Sequence, residues 1–427
     1  MGNAAATGKV EDAIVQGDEA LAPVTTSERI SSLDFIRGIA VMGILAANII
    51  AFGQPLMATL YPPAFLTDQQ DPQNYWWLAQ FVLIDGKMRG LFSLLFGAGL
   101  WLFIEKATAR GSGQGLAVRR LAFLGMFGLI HFYFIWIGDI LFLYAVSGLA
   151  LLAFLSLKPV NQVILGVLGY VVSALIYTAL LGGLYWLSTS GVMSDAETAE
   201  MQSEMMAGME ANTQMSAAIQ SGDYGAFLAA NFSENLLMPF SMLTQSMVET
   251  IGLMLIGMGL LRMGFFSGTF NRRKMILWGF VGTIGGALGM LWVGLWIRST
   301  GFDVMASMFG FIALSAFPRL PMILGLAALL VIFSPAFTGW LGQRISAAGR
   351  AAFTNYLGTS ILMLFVFHGW ALGLYGELSR PQLYIVVLAT WVVMLAWSKP
   401  WLDRFRYGPL EWLWRCLTYG KKFPIRR

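Results

Sequence analysis

A long apolar run lies near the N-terminus of the chain: Phe35-Ile-Arg-Gly-Ile-Ala-Val-Met-Gly-Ile-Leu-Ala-Ala-Asn-Ile-Ile-Ala-Phe52. A helix needs about 20 mostly apolar residues to cross the hydrocarbon core of a bilayer. This run nearly reaches that length and contains a single charge, Arg37, so it predicts a membrane-spanning helix.

Nine further apolar runs follow, separated by short blocks of charge. Of the 427 residues, 57% are hydrophobic and 12% are charged, which is about half the charge of an average soluble protein. Because lipid offers no hydrogen-bond partners, such runs are expected to be helices. The sequence predicts an all-α, polytopic membrane protein with about ten transmembrane helices, at 35–52, 87–104, 118–137, 140–157, 162–187, 236–261, 274–297, 320–337, 351–374 and 383–397.

The basic residues concentrate on one side of this bundle. Lys and Arg follow the second, sixth, eighth and tenth spans, whereas segments 53–74 and 188–235 contain none. Loops rich in Lys and Arg remain in the cytoplasm, so both termini are expected there. The basic pI near 9.1 then reflects topology, and binding of nucleic acid is not expected.

Three parts of the chain differ in composition. Residues 1–28 are expected to be a flexible cytoplasmic tail, 29–398 the transmembrane domain, and 399–427 a basic, aromatic cytoplasmic segment with an interfacial helix. The outer loop 188–235 is rich in Met, Ala and spaced acids. It predicts either amphipathic helices over the outer face or a loosely ordered, solvated loop.

One segment does not fit the regular pattern. Asp303–Phe317 is apolar, but Pro318, Arg319 and Pro321 follow it, and proline interrupts helical hydrogen bonding. The segment is therefore expected to be re-entrant, interfacial or part of a span, with the eighth span beginning at Leu320.

The most distinctive pair of chemical groups is His131 and Asp139. Ionisable residues at membrane depth are costly and often mark a functional site. Eight residues correspond to about 12 Å of helical rise, but a bend at Gly138 would bring the carboxylate back to the imidazole. An oriented histidine can act as a general base on a hydroxyl. The alternative is structural: His131 would bridge helices and Asp139 would cap the next helix.

Other polar residues are candidates to line a cavity. Asp34 could cap the first span, leaving Arg37 available to bind a phosphate. Arg89 is a candidate countercharge for the deeply placed Glu249, and His368 could flank an outward-facing cavity together with His131. The remaining candidates are Asp85, Lys87, Asn48 and Asn355.

Several classes of function are excluded by composition. Cys416 is the only cysteine and there are two histidines, so neither a metal site nor a redox pair is expected. No phosphate loop, dinucleotide fingerprint, HExxH or GxSxG motif occurs. No tightly bound cofactor is therefore predicted.

Five motifs, in order over most of the chain, resemble the YeiB-like family of bacterial inner-membrane proteins, a domain of unknown function. The resemblance implies a multi-pass protein of that membrane. The motifs are Leu33–Leu45 with Asn48, Lys87–Gly99, Ile130-His131 with Gly138–Leu141, Gly349–Tyr356, and Tyr407–Arg415.

This family resembles in turn a wider superfamily of transmembrane acyltransferases, which includes the lysosomal heparan-alpha-glucosaminide N-acetyltransferase. Members share Asp-x-x-Arg-Gly at the first span, here Asp34 to Gly38. The resemblance implies transfer of an acyl group from cytoplasmic acyl-CoA, with a histidine as base or acyl carrier. That histidine follows the first span in the lysosomal enzyme, whereas Ala51–Tyr75 contains none. The candidate here is therefore His131, oriented by Asp139.

Three functions are compatible with these features. An acyltransferase would bind the phosphates of acyl-CoA, the expected donor, through Arg37, Arg119, Arg120 and Arg350. A transporter or exporter of a small polar or amphipathic solute would use Glu249, Arg89 and His131. A scaffold would bind lipid or a protein partner. The expected partners are the lipid bilayer and a small-molecule or lipid substrate, with a homo-oligomer left open.

Overall fold

The computed structural model describes residues 31–67, 74–210 and 212–427. Within these ranges the chain is helical, and pairing between extended segments is limited to an isolated bridge between Phe405 and Arg426. The prediction of an all-α protein is confirmed. The expected tail at 1–28 lies outside the described residues.

Seventeen α-helices lie in the described ranges. A π-helical segment, Phe309–Leu314, follows α12. The helices are α1 Ser31–Gly53, α2 Tyr75–Leu83, α3 Lys87–Ala109, α4 Gly115–Phe134, α5 Leu141–Leu151, α6 Pro159–Thr189, α7 Asp195–Glu210, α8 Asn212–Gln220, α9 Tyr224–Glu234, α10 Met238–Arg262, α11 Arg272–Ser299, α12 Val304–Met308, α13 Ala316–Phe333, α14 Trp340–Arg350, α15 Ala352–Phe367, α16 Arg380–Arg404 and α17 Pro409–Tyr419.

Among the described residues, eight helices are long and apolar enough to cross a membrane, or nine if α14 and α15, which meet at 86°, form one broken span. The predicted span 140–157 corresponds to a shorter apolar helix, Leu141–Phe154. The chain is thus a multi-pass helical membrane protein. The count of ten and the cytoplasmic placement of both ends remain predictions.

The prolines near residue 320 do not interrupt the helix, contrary to the sequence-based expectation. Helix α13 begins at Ala316 and continues through Pro318 and Pro321. Pro318 lies in the first turn, where a backbone N–H has no partner within the helix. The Pro321 carbonyl lies against Gly282 of α11, where an added Cβ would approach it to 2.6 Å. Tight helix packing thus tolerates the proline.

Glycines allow the central helices to approach closely. A Cβ on Gly97 of α3 would lie 2.0 Å from the Met254 carbonyl oxygen of α10, and one on Gly257 of α10 would lie 1.9 Å from that of Leu94. Helices α1 and α14 meet in the same way. There, a Cβ on Gly349 would lie 1.9 Å from the Asp34 carbonyl oxygen. Small residues at such crossings are typical of membrane helix pairs.

The loop 188–235 contains the helices α7, α8 and α9. The amide of Asn231 in α9 donates hydrogen bonds of 3.0 Å to the Phe132 and Tyr133 carbonyls at the end of α4. The Gly369 N–H, after α15, donates to the Ile219 carbonyl in α8 at 2.9 Å. The helical alternative for this loop therefore holds, and the loop packs over the ends of α4 and α15.

Candidate functional site

The chain brings His131 and Asp139 into direct contact. Helix α4 ends at Phe134 and α5 begins at Leu141, so the intervening turn reverses the chain. His131 Nδ1 lies 2.8 Å from Asp139 Oδ1. The other carboxylate oxygen, Oδ2, accepts the Phe142 backbone N–H at 2.9 Å. Asp139 therefore contacts the imidazole and also caps α5, as the structural alternative expected, whereas the role of His131 as a general base stays a prediction.

The protonation pattern of the imidazole follows from this contact. In a neutral imidazole beside an ionised carboxylate, which can only accept a hydrogen bond, Nδ1 carries the hydrogen and Nε2 carries the lone pair. The side chain of His131 is completely buried. Among the described residues, Nε2 has no hydrogen-bond partner. A buried polar atom left without a partner is unusual and needs an explanation.

Two aromatic side chains flank the imidazole. The ring centroids of Tyr356 and Trp136 lie 5.2 and 6.2 Å from that of His131. The Tyr356 hydroxyl accepts the Ile140 backbone N–H at 3.3 Å, which ties α15 to the start of α5. Trp136 stacks on Phe52 of α1, with ring centroids 4.0 Å apart.

A cavity of about 240 Å³ reaches Tyr356 from the side of the basic residues. We call it the arginine cavity, because Arg37, Arg120 and Arg350 all line it. Asp34 lies inside α1, which begins at Ser31, so it does not cap the first span as expected but pairs with Arg37 at 3.0 Å. Three of the four arginines predicted to hold phosphates are thus brought together, and Tyr356 connects their cavity to His131.

Arg119 is the predicted arginine that does not join the others. It is exposed and lies beside Gly420, after the end of α17. The sequence predicted the same role for both adjacent arginines, but their side chains lie on different sides of α4. The Arg120 guanidinium is stacked on the Trp414 ring at 3.6 Å, whereas Arg119 approaches Phe123 only at 5.8 Å.

Glu411 is a residue of the arginine cavity that the sequence did not single out. Its carboxylate accepts the backbone N–H groups of Phe353 and Thr354 at 2.8 and 3.1 Å, and also the Thr354 hydroxyl. It thereby caps α15 from α17. Burial raises the pKa of the Glu411 carboxyl above its usual range, although the hydrogen bonds from Thr354 and Phe353 act in the opposite direction. The only available signal was its place in the Tyr407–Arg415 motif.

A second, smaller cavity of about 40 Å³ lies near His131 but is not lined by it. We call it the His368 cavity. Trp136 and Tyr375 also line it. His368 follows directly after α15 ends at Phe367, so it does not lie within a span as predicted, because the backbone becomes extended there. Each cavity is therefore lined by one of the two aromatic side chains that flank His131: Tyr356 lines the arginine cavity and Trp136 lines the His368 cavity.

The charged candidates Arg89, Glu249, Asp85 and Lys87 line neither cavity, and the first two are partly buried. Arg89 pairs with Glu249 at 2.9 Å, as expected, and Arg319 approaches the same carboxylate to 3.6 Å. The Asp85 carboxylate accepts from the Gln80 amide at 3.1 Å. The Lys87 ammonium, also buried, donates to the Phe81 carbonyl. The sequence had treated Arg319 as part of a helix break and so missed this role.

Two predicted asparagines contribute differently. Asn355 is buried; its amide donates to the Ala348 carbonyl and the Ser398 hydroxyl at 3.0 and 3.1 Å, and its oxygen accepts from Trp397 at 2.9 Å. These contacts indicate a structural role between α14, α15 and α16. Asn48 is half-buried in α1 and lines neither cavity.

Comparison with known proteins places the chain in a family. The family described as "Protein of unknown function (DUF418)" matches residues 260–421. The uncharacterized protein YxaH of Bacillus subtilis (strain 168) is 30% identical over 424 residues, covering 95% of this chain and 98% of that protein. The uncharacterized protein YeiB of Escherichia coli (strain K12) is 31% identical over 409 residues, covering 92% and 96%. The chain belongs to the YeiB-like DUF418 family. No solved structure gives a significant match.

Membership of the DUF418 family confirms the resemblance inferred from the five motifs. The family match spans α11 to α17 and so includes Arg350, Tyr356 and Glu411. His131 and Asp139 lie before the matched residues. They fall within the stretch shared with YxaH and YeiB, which covers nearly the whole chain.

Proposed function

We propose that this protein is an acyltransferase-like protein of the bacterial inner membrane. It would move an acyl group from cytoplasmic acyl-CoA to a hydroxyl or amine acceptor at the outer face. The observation that supports this most strongly is His131, whose Nδ1 is held by Asp139 and whose Nε2 has no partner among the described residues. Its ring contacts Tyr356 and Trp136, each of which lines a cavity. A thioester donor needs no metal or redox cofactor.

If His131 acts as a base, its Nε2 takes a proton from the acceptor while the acceptor's oxygen or nitrogen attacks the thioester carbonyl. We call this the base route. The carbon–sulfur bond breaks, and the imidazolium returns the proton to the departing thiolate. The products are an ester or amide and free CoA thiol. Asp139 stabilises the imidazolium without becoming protonated, as in other oriented histidine bases.

In the carrier route, Nε2 itself attacks the thioester, and the acyl group stays on the imidazole when the thiolate leaves. The acceptor then attacks that acyl group and the carbon–nitrogen bond breaks. In this route the departing thiolate takes a proton from water, and the acceptor's proton passes to water as Nε2 is freed. Both routes require a lone pair on Nε2, which the contact between Nδ1 and Asp139 supplies.

The arginine cavity is the proposed donor site. Arg37, Arg120 and Arg350 would bind the CoA phosphates, since guanidinium groups form paired hydrogen bonds with phosphate oxygens. Its 240 Å³ is below the volume of about 300–1,000 Å³ of drug-sized ligand pockets. Only the thioester arm would enter, leaving the nucleotide at the cavity mouth. Since His131 is fully buried, rotation of Tyr356 would expose it.

Transport is the second candidate, and the partly buried cluster of Arg89, Glu249 and Arg319 favours it. Ionisable groups within membrane-spanning helices often line ion or solute paths. Solute uptake into proteoliposomes that is lost in Glu249→Gln, with no acyl-CoA turnover, would support transport over catalysis.

The proposed activity is tested with purified protein and acetyl-CoA, measuring acetyl-CoA binding and release of free thiol. We expect thiol release by the wild type and a loss of about 100-fold or more in His131→Gln, because a positioned general base contributes about that factor. Asn48→Ala serves as a control within a span but outside both cavities. Absence of acetyl-CoA binding by both the wild type and His131→Gln would refute the proposal.

A further inference from the structure

A large groove lies on the side of the molecule, away from His131. It has a volume of about 760 Å³ and is bounded by Val163 of α6, Leu260 of α10, Trp278 of α11 and Leu324 of α13. Helix α11 is among the least buried of the spanning helices, and Trp278 is 66% exposed. The groove therefore opens sideways, toward the acyl chains of the bilayer.

The groove is polar at one end only. Sixteen of its eighteen lining residues are apolar or glycine, and the two exceptions are Asn271 and Lys274. Both lie at the start of α11, where the Asn271 oxygen accepts the Lys274 backbone N–H at 3.1 Å. A long apolar wall with a cation and an amide donor at its end matches a molecule with an apolar tail and an anionic head.

The positive charge at the polar end of the groove also favours binding of an anion. Arg272, Arg273 and Lys274 occupy the first turn of α11, where the helix dipole disfavours positive charge. Within the described part of the chain, no carboxylate forms an ion pair with any of the three. An external phosphate would offset both the dipole and the mutual repulsion of these cations.

We propose that this lateral groove binds an anionic phospholipid. One acyl chain would lie along the apolar wall, and the phosphate would be held by Lys274 and Asn271. Lysine binds phosphate as a point charge, and the carboxamide adds an N–H donor. The site is separate from the arginine cavity, so it does not depend on the proposed acyl transfer.

Native mass spectrometry of the delipidated full chain tests this site, with phosphatidylglycerol and phosphatidylcholine of identical acyl chains as probes. We expect tighter binding of phosphatidylglycerol, with the preference reduced roughly tenfold in Lys274→Gln through loss of one charge-assisted contact. Arg273→Gln, on the same helical turn but outside the groove, should keep the preference.

A second variant tests the apolar wall. Gly285 lines the groove, and a Cβ added there meets no atom within 4 Å, so Gly285→Phe should fill the groove without disturbing the backbone. We expect it to lose both lipids, whereas Gly183→Phe in α6, equally open but outside the groove, should bind as the wild type does. Equal binding of the two lipids by the wild type, unchanged binding by Gly285→Phe, or equal effects of Lys274→Gln and Arg273→Gln would overturn the proposal.

Discussion

At the scale of single residues, His131 depends on its carboxylate partner. Asp139 fixes which ring nitrogen carries the hydrogen, and any chemistry at Nε2 follows from that. Asp139 also accepts the Phe142 N–H at 2.9 Å. Removing the Asp139 carboxylate would therefore affect both the imidazole and the cap of α5. A conservative substitution to asparagine separates these two effects.

Asp139→Asn is expected to slow acyl-CoA turnover by about 10²- to 10⁴-fold, because an amide permits the wrong imidazole tautomer. Its amide oxygen can still cap α5, so stability should change by less than about 1 kcal/mol. Thiol release and thermal melting of the same preparation check both points. Turnover within a few-fold of the wild type would show that His131 does not act through Asp139.

Arg350→Gln is expected to weaken acetyl-CoA binding roughly 10- to 100-fold, since a charge-assisted hydrogen bond contributes about 1.5–3 kcal/mol. Arg119→Gln is the matched control, because Arg119 is exposed and does not line the arginine cavity. Equilibrium binding to the purified protein measures the difference. Equal weakening by both variants would indicate diffuse electrostatic attraction at the surface.

The residues missed by the sequence share one property: their partners are distant in the chain. Glu411 caps a helix that begins 59 residues earlier, at Ala352, and Tyr356 reaches Ile140. A span or charge pattern reports only local sequence, so such contacts are not visible in it. The pair His131 and Asp139 was visible because its members are only eight positions apart, with a glycine directly before Asp139.

At the scale of helices, glycine contacts hold the central pair α3 and α10 together. These two helices carry Arg89 and Glu249, whose atoms lie 2.9 Å apart. The close crossing at Gly97 and Gly257 therefore brings together the two members of this ion pair as well as the apolar surfaces of the two helices. Sequence alone does not show which helices these glycines join.

Gly257→Ala is expected to destabilise the protein by about 1–3 kcal/mol, because the new methyl group would lie 1.9 Å from the Leu94 carbonyl oxygen and overpacking has this cost. In Gly358→Ala, an added Cβ meets no atom within 4 Å, so helix propensity alone should leave stability equal or slightly higher. Thermal melting in detergent compares them. Identical melting of the two variants would contradict the close crossing.

At the scale of the whole molecule, the sequence predicts the class of protein well and the connections less well. Apolar length depends on composition alone, so the helical bundle could be predicted. The course of α13 through Pro318 and Pro321 could not, because it depends on the glycine-lined face of α11. The positions of the two cavities likewise follow from packing between distant helices.

The two cavities and the basic residues imply a direction across the membrane. Arg37, Arg120 and Arg350 face one cavity, and His368 faces the other. If the basic side is cytoplasmic, as the distribution of Lys and Arg predicts, the proposed acyl transfer would consume its donor on that side. The acylated product would then form on the opposite side.

Sealed inside-out membrane vesicles provide the most direct measurement, because acyl-CoA labelled in its acyl group can be added to the cytoplasmic face alone. We expect label in a CoA-free product inside vesicles that contain the wild-type protein, and none above background with His131→Gln. Label that stays outside, or that enters still attached to CoA, would contradict acyl transfer across the membrane.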